Sequence, residues 1–302
     1  MADDTNASEG QAQQSNQAAQ TPSETALPSR DVFGLGRTSG QRGAEILAGF
    51  RAEYLPSPEH KALSRMSGRV IARLILSTTR SSGAMNYTLG RPHVIDHLIQ
   101  ETLATVDGPP VIVEIAAGLS PRGLRMAQAL PEATFIEVDL PDVVAEKQKR
   151  IQAPRDLTVP PNLKWITADL AVTPFSEVMD GRKAHVICAE GLVGYLRHPQ
   201  IVTLSRSVRE TLHPGGAFIT DLGLQAGVKA IKQAASMFSR QAGNWYGTVD
   251  DIDHGKRLMH EAGFEDVKAY LPSELVETLD LRTPMLDISC FLRASSAGDT
   301  DE

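Results

Sequence analysis

Cysteine is scarce in this chain: Cys188 and Cys290 are its two, and both sit inside apolar runs. That count excludes a disulfide-stapled scaffold, and thiols without nearby histidine pairs exclude a zinc pattern. They read as buried thiols in strands. No apolar run approaches the length of a membrane span. No basic start followed by an apolar segment marks a secretory signal, so the expected location is cytoplasmic. Basic residues are in the minority, 30 against 37 acidic ones, for a net charge of −7. This balance gives no reason to expect nucleic acid as a partner, although a local basic patch can hide in an acidic total. There is no internal repeat, no Ser–His–Asp arrangement and no metal-ligand spacing.

What is present is ordinary for a globular protein: 302 residues, 41% hydrophobic and 22% charged. The length suits one large domain or a domain with an appended lid. Residues 1–28 are rich in Gln, Ala, Ser, Thr and Asn and lack the apolar surface to offset ordering entropy, so they read as a disordered tail. Residues 294–302 read as a small, acidic, flexible tail. Between Gln41 and Val106 the pattern is helical. Three helices are expected: one marked by Ala44 to Tyr54, one by Arg69 to Ile75, and one by Val94 to Leu103 with Pro92 near its first turn. Residues 29–108 are therefore an N-terminal helical segment.

From Val111 short strands alternate with helices, as in a βαβ series. Strands are expected at 111–116, 134–139, 163–167, 184–189 and 216–221, with His213-Pro-Gly-Gly216 as the turn feeding the fifth. Helices are expected at 121–130, 141–152, 174–180, 199–212, 226–240 and 250–262. Two further strands, 264–270 and 286–292, complete seven. The domain spans 109–293, with 223–250 as an inserted helical segment. Five parallel strands and a terminal antiparallel pair make a Rossmann-like α/β sheet, the count of class I methyltransferases.

Val111-Ile-Val-Glu-Ile-Ala-Ala-Gly-Leu-Ser-Pro-Arg-Gly123 is an apolar run ending in a small-residue turn. Phe135-Ile-Glu-Val-Asp-Leu-Pro141 follows after a helix and ends in an acid. This layout suits an adenosine-containing cofactor. Ala116, Ala117 and Gly118 let backbone approach a ligand, and Asp139 stands where a carboxylate accepts both ribose hydroxyls. A dinucleotide turn needs glycines where this chain has Ala116 and Pro121. A cofactor without phosphates is favoured, and S-adenosyl-L-methionine fits.

Ligands of open α/β sheets sit beyond the carboxyl ends of the strands. Those ends carry Glu114 to Gly118, Asp139, Asp169-Leu170, Glu190 to Tyr195, and Asp221. An acid after a strand is often the cap of the next helix, but acids at successive ends favour a cofactor cleft. Asp169 and the Leu170 backbone suit adenine, and Glu190 the ammonium or sulfonium side. Arg122 and Arg91 are candidates for the cofactor carboxylate, with a solvated charge as the alternative for each. His93, His198 and His213 lie near element ends where a general base could stand, although a partly exposed histidine without catalytic role is the commoner case. No catalytic residue is assigned.

These runs, with Lys147 and Ala189-Glu-Gly-Leu-Val-Gly-Tyr-Leu196, resemble the leucine carboxyl methyltransferase family, which includes O-methyltransferases of bacterial polyketide pathways. The resemblance covers about residues 85–222. The family's usual G-x-G-x-D-x-R turn is altered here, with Ala116 at its first glycine and Ser120-Pro-Arg122 replacing the acidic segment. By resemblance Arg91 holds the cofactor carboxylate, while Gly118, Asp139, Asp169, Leu170 and Glu190 match cofactor-contacting positions. The N-terminal helices would form part of a lid over the substrate. The expected cofactor-binding set is then Arg91, Glu114, Ala116, Gly118, Arg122, Asp139, Asp169, Leu170 and Glu190, with no metal.

The expected activity is O-methylation of a small-molecule carboxylate or hydroxyl. Protein carboxyl methylation, N-methylation, a nicotinamide-dependent enzyme and a non-catalytic Rossmann-like protein are the alternatives. Met237, Phe238, Trp245 and Tyr246 suggest an aromatic-lined acceptor pocket, or simply a helix packed on the sheet. Tyr195, Trp245 and Tyr246 are its candidate residues. Arg65, Arg69, Arg73 and Arg80 share one helix side, read as a solvated face unless it meets an anionic acceptor. A homo-oligomer is compatible with this composition.

Overall fold

The computed structural model describes residues 39–55, 57–79, 82–154, 157–234 and 245–296. The readings for residues 1–28, Arg80, Met237 and Phe238 lie outside the described residues. Four helices come first: α1 (Ser39–Tyr54), α2 (Pro58–Leu63), α3 (Met66–Thr79) and α4 (Gly83–Leu103). The alternating part follows: β1 (Val111–Ile115), α5 (Arg122–Ala129), β2 (Thr134–Asp139), α6 (Pro141–Gln152), β3 (Leu163–Thr167), α7 (Phe175–Met179) and β4 (Ala184–Ala189). It continues with α8 (His198–Arg209), β5 (Leu212–Gly223), α9 (Gln225–Ala234), α10 (Ile252–Glu261), β6 (Asp266–Tyr270) and β7 (Ser289–Ser295).

The strands form one seven-stranded sheet in the order β3-β2-β1-β4-β5-β7-β6. Strands β1 to β5 are parallel, and β7 runs antiparallel between β5 and β6. The order reverses at β1, which pairs β2 on one side and β4 on the other, so a crevice opens beyond their carboxyl ends. Parallel strands covered on both faces read as apolar runs, which is why they were visible in the sequence. Val113, Ile136, Ile187 and Phe218 pack on one face with Phe175, Leu204 and Met259. Ile112, Phe135, Val186, Cys188 and Ile219 pack on the other with Ile95, Leu98, Leu124 and Ile151. Both cysteines are free and buried. Among the described residues, no helix is long and apolar enough to cross a membrane.

Several boundaries differ from expectation. Pro92 lies inside α4, which begins nine residues earlier where the Ser82 hydroxyl accepts the Met85 N–H (3.2 Å). Proline lacks only its own N–H, and the helix continues through that single lost bond. Strand β5 starts at Leu212, so His213-Pro-Gly-Gly216 is an irregularity within it: pairing jumps from Ala184↔Leu212 to Val186↔Ala217. Strand β7 runs to Ser295, and buried Ala294 pairs with both Phe218 and Val267. The flexible tail thus does not begin at Ala294, and the sheet extends beyond residue 293.

The arginine row of α3 is tied to acids. Arg69 and Arg73 donate to Glu53 of α1 (2.9 and 2.7 Å), and Arg65 to Glu146 of α6 (2.6 Å). Helices α1 and α3 cross at Gly49 and Gly68, where a Cβ on Gly49 would lie 2.4 Å from the Gly68 carbonyl oxygen.

Candidate functional site

The turn after β1 is built by backbone. Ala116 and Gly118 both adopt left-handed φ, +52° and +51°. Glycine takes that conformation freely, whereas alanine is strained there, so the Ala116 N–H bond to the Val138 carbonyl (2.8 Å) helps to hold it. Asp139 closes the turn: Oδ2 accepts the Gly118 N–H and Oδ1 the Leu140 N–H, both at 2.7 Å. Burial pushes the Asp139 carboxyl above its ordinary value against these two bonds. The Asp139 carbonyl accepts the Ala168 N–H (2.9 Å), which joins this turn to the loop after β3. There Asp169 accepts the Ala171 N–H (3.1 Å), and half-buried Leu170 packs against the core.

Glu190, after β4, is the hub of the cleft. Arg91 of α4 donates to Oε1 (3.0 Å), Arg122 of α5 to Oε2 (2.6 Å), and Arg51 of α1 also to Oε1. Burial would raise the Glu190 carboxyl, but the guanidiniums of Arg51, Arg91 and Arg122 outweigh it and hold the group well below the usual range. Arg91 also lies 3.6 Å from Asp221, whose other oxygen accepts the Gly191 N–H (2.6 Å). Burial pushes the Asp221 carboxyl up.

Arg122 departs from expectation. Its side chain is 2% exposed, and its nitrogens donate to Asp96 (2.5 Å), Glu114 and Glu190. It is neither a solvated charge nor a guanidinium held open for a ligand. Glu114 is equally buried, with burial raising its carboxyl, and it pairs in register with Glu137 of β2. Glu137 in turn meets buried Lys147 (2.8 Å) and the Trp165 indole N–H (2.8 Å). Glu114 and Arg122 thus belong to the first of two largely buried charge groups, Asp96–Arg122–Glu114–Glu190 and Glu137–Lys147, set side by side where Glu114 and Glu137 pair.

The three candidate acceptor residues separate. Tyr195 and Trp245 meet edge to face with centroids 6.2 Å apart, and burial raises the Tyr195 hydroxyl. Tyr246 is 41% exposed, beneath the Arg197 guanidinium at 5.5 Å, and so lies at the surface. The histidines also separate. His93 is half-buried on α4, and His198 donates to the Thr248 carbonyl (3.0 Å). His213 stacks on His185 at 4.2 Å, where β5 starts, at the end of the sheet away from the cleft. Sequence reasoning missed Arg51 and Asp96. Asp96 follows Arg91 by five residues on one helix, which was a weak signal; nothing in the sequence pointed to Arg51. Among the described residues, no group of three His, Cys, Asp or Glu side chains could hold a metal.

Burial depresses three imidazoles: His60 to about 4, aided by Arg51 and Arg125, and also His93 and His185. In the unfolded chain each titrates near 6.5. The stability they contribute is present above that value and lost as pH falls toward and through the folded values. Urea melts at pH 7.5 and pH 5 should therefore differ by roughly 2 kcal/mol from His60, and His60→Gln should flatten the difference. An unchanged pH dependence in that variant would remove His60 as its source.

Residues 39–208, more than half of the chain, match the family model described as leucine carboxyl methyltransferase. No curated protein sequence matches the chain. Among solved structures, an O-methyltransferase family protein from Burkholderia thailandensis superposes with a TM-score of 0.51 at 15% identity, over 76% of this chain and 63% of that one. Magnesium protoporphyrin IX methyltransferase from Synechocystis, solved with bound S-adenosylhomocysteine, gives 0.50 at 14% identity, over 77% and 95%. This chain spans less than two thirds of the Burkholderia protein, and these likenesses establish the class I methyltransferase fold.

Proposed function

Because the chain belongs to the leucine carboxyl methyltransferase family, we propose that it uses S-adenosylmethionine to methylate oxygen, on a small-molecule carboxylate or hydroxyl. The observation that carries this reading is the left-handed Ala116–Gly118 turn closed by Asp139, beside Glu190 with its converging arginines. The residues fit the cofactor. Arg51 Nε is buried without a hydrogen-bond partner, a donor that a ligand carboxylate would satisfy. Asp139 accepts a single bond at each oxygen, which leaves acceptor capacity for a ribose diol.

Asp139 then holds the ribose, with Ala116 and Gly118 allowing close approach, and Asp169 with Leu170 borders the adenine. Arg91 takes the carboxylate, and Glu190 faces the ammonium. Glu114 and Arg122 support Glu190 from beneath. When bound, S-adenosylmethionine supplies a methyl already activated by its sulfonium. The protein contributes alignment and exclusion of water, the latter through the N-terminal helices whose Arg51 reaches Glu190. Tyr195 and Trp245 form the acceptor wall, and Tyr246 its rim. A carboxylate acceptor needs no base, whereas a hydroxyl would benefit from one.

Calorimetry with S-adenosylhomocysteine tests the reading directly. Binding is expected, and Arg91→Ala should weaken it about tenfold or more while leaving adenosine, which lacks the carboxylate, unchanged. Failure of the wild-type protein to bind either S-adenosylhomocysteine or S-adenosylmethionine would sink it. A thermal shift with NAD or NADP alone would favour the nicotinamide alternative.

A further inference from the structure

Helix α4 reaches the Glu190 carboxylate twice. Arg91 does so directly, donating from Nε to Oε1 at 3.0 Å. Five residues along the same helix, Asp96 does so indirectly: it accepts Arg122 Nε at 2.5 Å, and Arg122 Nη2 donates to Glu190 Oε2 at 2.6 Å. The third nitrogen of Arg122 is taken by Glu114, at the floor of the sheet. A guanidinium gripped on three sides and 2% exposed cannot turn toward a ligand. Arg91 meets fewer carboxylates at hydrogen-bond distance: its Nε is on Glu190, its Nη1 lies 3.6 Å from Asp221, too far for a normal hydrogen bond, and it also meets the neutral Tyr87 hydroxyl. The three arginines on Glu190 therefore differ: Arg51 and Arg91 share Oε1, where Arg91 can be recruited, while among the described residues Arg122 is the guanidinium that holds Oε2, and it is fixed.

We propose that Asp96 is a positioning residue: it locks Arg122 so that Glu190 keeps its orientation and charge when Arg91 turns to an anionic ligand group. This rests on the methyltransferase reading, in which that group is the cofactor carboxylate. A carboxylate as deep as Glu190 that loses donors takes up a proton more readily. A neutral Glu190 is a poor partner for the ammonium. Arg51 still serves Oε1, but Oε2 depends on Arg122, whose direction Asp96 fixes on the side away from Glu114. Arg125 also approaches Asp96, at 3.4 Å, but from an exposed position.

The test compares two ligands that differ in the amino-acid moiety. S-adenosylhomocysteine carries the carboxylate and ammonium; 5′-methylthioadenosine keeps only the nucleoside and a thioether. Asp96→Asn should weaken S-adenosylhomocysteine about tenfold, as expected when a charged hydrogen bond becomes a neutral one, and leave 5′-methylthioadenosine unchanged. Its affinity for S-adenosylhomocysteine should also fail at a higher pH than in the wild type as pH is lowered. Asp96→Glu, which retains the charge, should restore most of the loss, and Arg125→Ala should have no effect. Glu114→Gln removes a different acid from the same guanidinium and should give the same selective loss; it carries the test if Asp96→Asn does not fold. Equal weakening of both ligands would show a merely structural role and overturn the proposal, as would undiminished S-adenosylhomocysteine binding. A wild-type protein that binds neither ligand overturns the cofactor reading, and this proposal with it.

Discussion

Replacing Arg122 with methionine should remove roughly 3–5 kcal/mol of stability, the usual effect of breaking a buried ion network by deleting one partner. The substitution keeps most of the side-chain volume, so little of the loss comes from packing. What remains is Asp96, Glu114 and Glu190 around an uncharged side chain, two of them almost wholly buried. The loss should shrink as pH is lowered, because protonation relieves the uncompensated carboxylates. Urea melts at pH 7.5 and pH 5 measure both features. A loss under about 1 kcal/mol would mean that the network contributes little net energy, as exposed pairs do.

Asp139→Ala should act on affinity and on the fold together. It removes the acceptor proposed for the ribose diol and strands two backbone donors, the N–H groups of Gly118 and Leu140. Each lost charged bond to a ligand is worth roughly 1.5–3 kcal/mol, so S-adenosylhomocysteine affinity should fall at least tenfold. Because the ribose is common to both ligands, 5′-methylthioadenosine should weaken in parallel. That pattern is opposite to the one expected for Asp96→Asn, so calorimetry with the same pair of ligands separates the two ends of the site. Unchanged affinity in a folded Asp139→Ala protein would place the ribose elsewhere. Melting temperature should drop as well, by an amount that Asp139→Asn, which keeps an acceptor oxygen, partly recovers.

The central strands β1, β2, β4 and β5 were legible because they are covered on both faces and largely apolar, whereas the edge strands β3 and β6 carry exposed Lys164, Asp266 and Lys268. The places of Asp139, Asp169 and Glu190 at or just past strand carboxyl ends were legible, because the apolar runs that end there mark the strands. Contacts between distant parts of the chain were not legible. Arg51 reaches Glu190 across 139 residues and Arg122 reaches it across 68, and no local pattern encodes either. The sequence marks Arg122 as a guanidinium that needs a carboxylate, but the carboxylates that answer it belong to the protein. His213 stands near an element end as the sequence suggests, but at the amino end of β5, opposite the strand ends that bind ligands. The start of α4 was hidden by Pro92, since proline marks helix beginnings more often than interiors.

The position of β7 has a consequence for the order in which the chain leaves the ribosome. Strand β5 is complete at Gly223, but the neighbour that pairs its free side begins at Ser289, 66 residues later (289 − 223). At about 5–20 residues per second, synthesis takes from about 3 to about 13 s to deliver it. Throughout that interval the growing sheet ends at an unpaired edge of buried, apolar residues, Phe218 and Ile219 among them. Such an edge is a template for association with other chains. The nascent protein is thus most vulnerable in its second half, when the cofactor-side strands are all made and the sheet still lacks the strand that closes it.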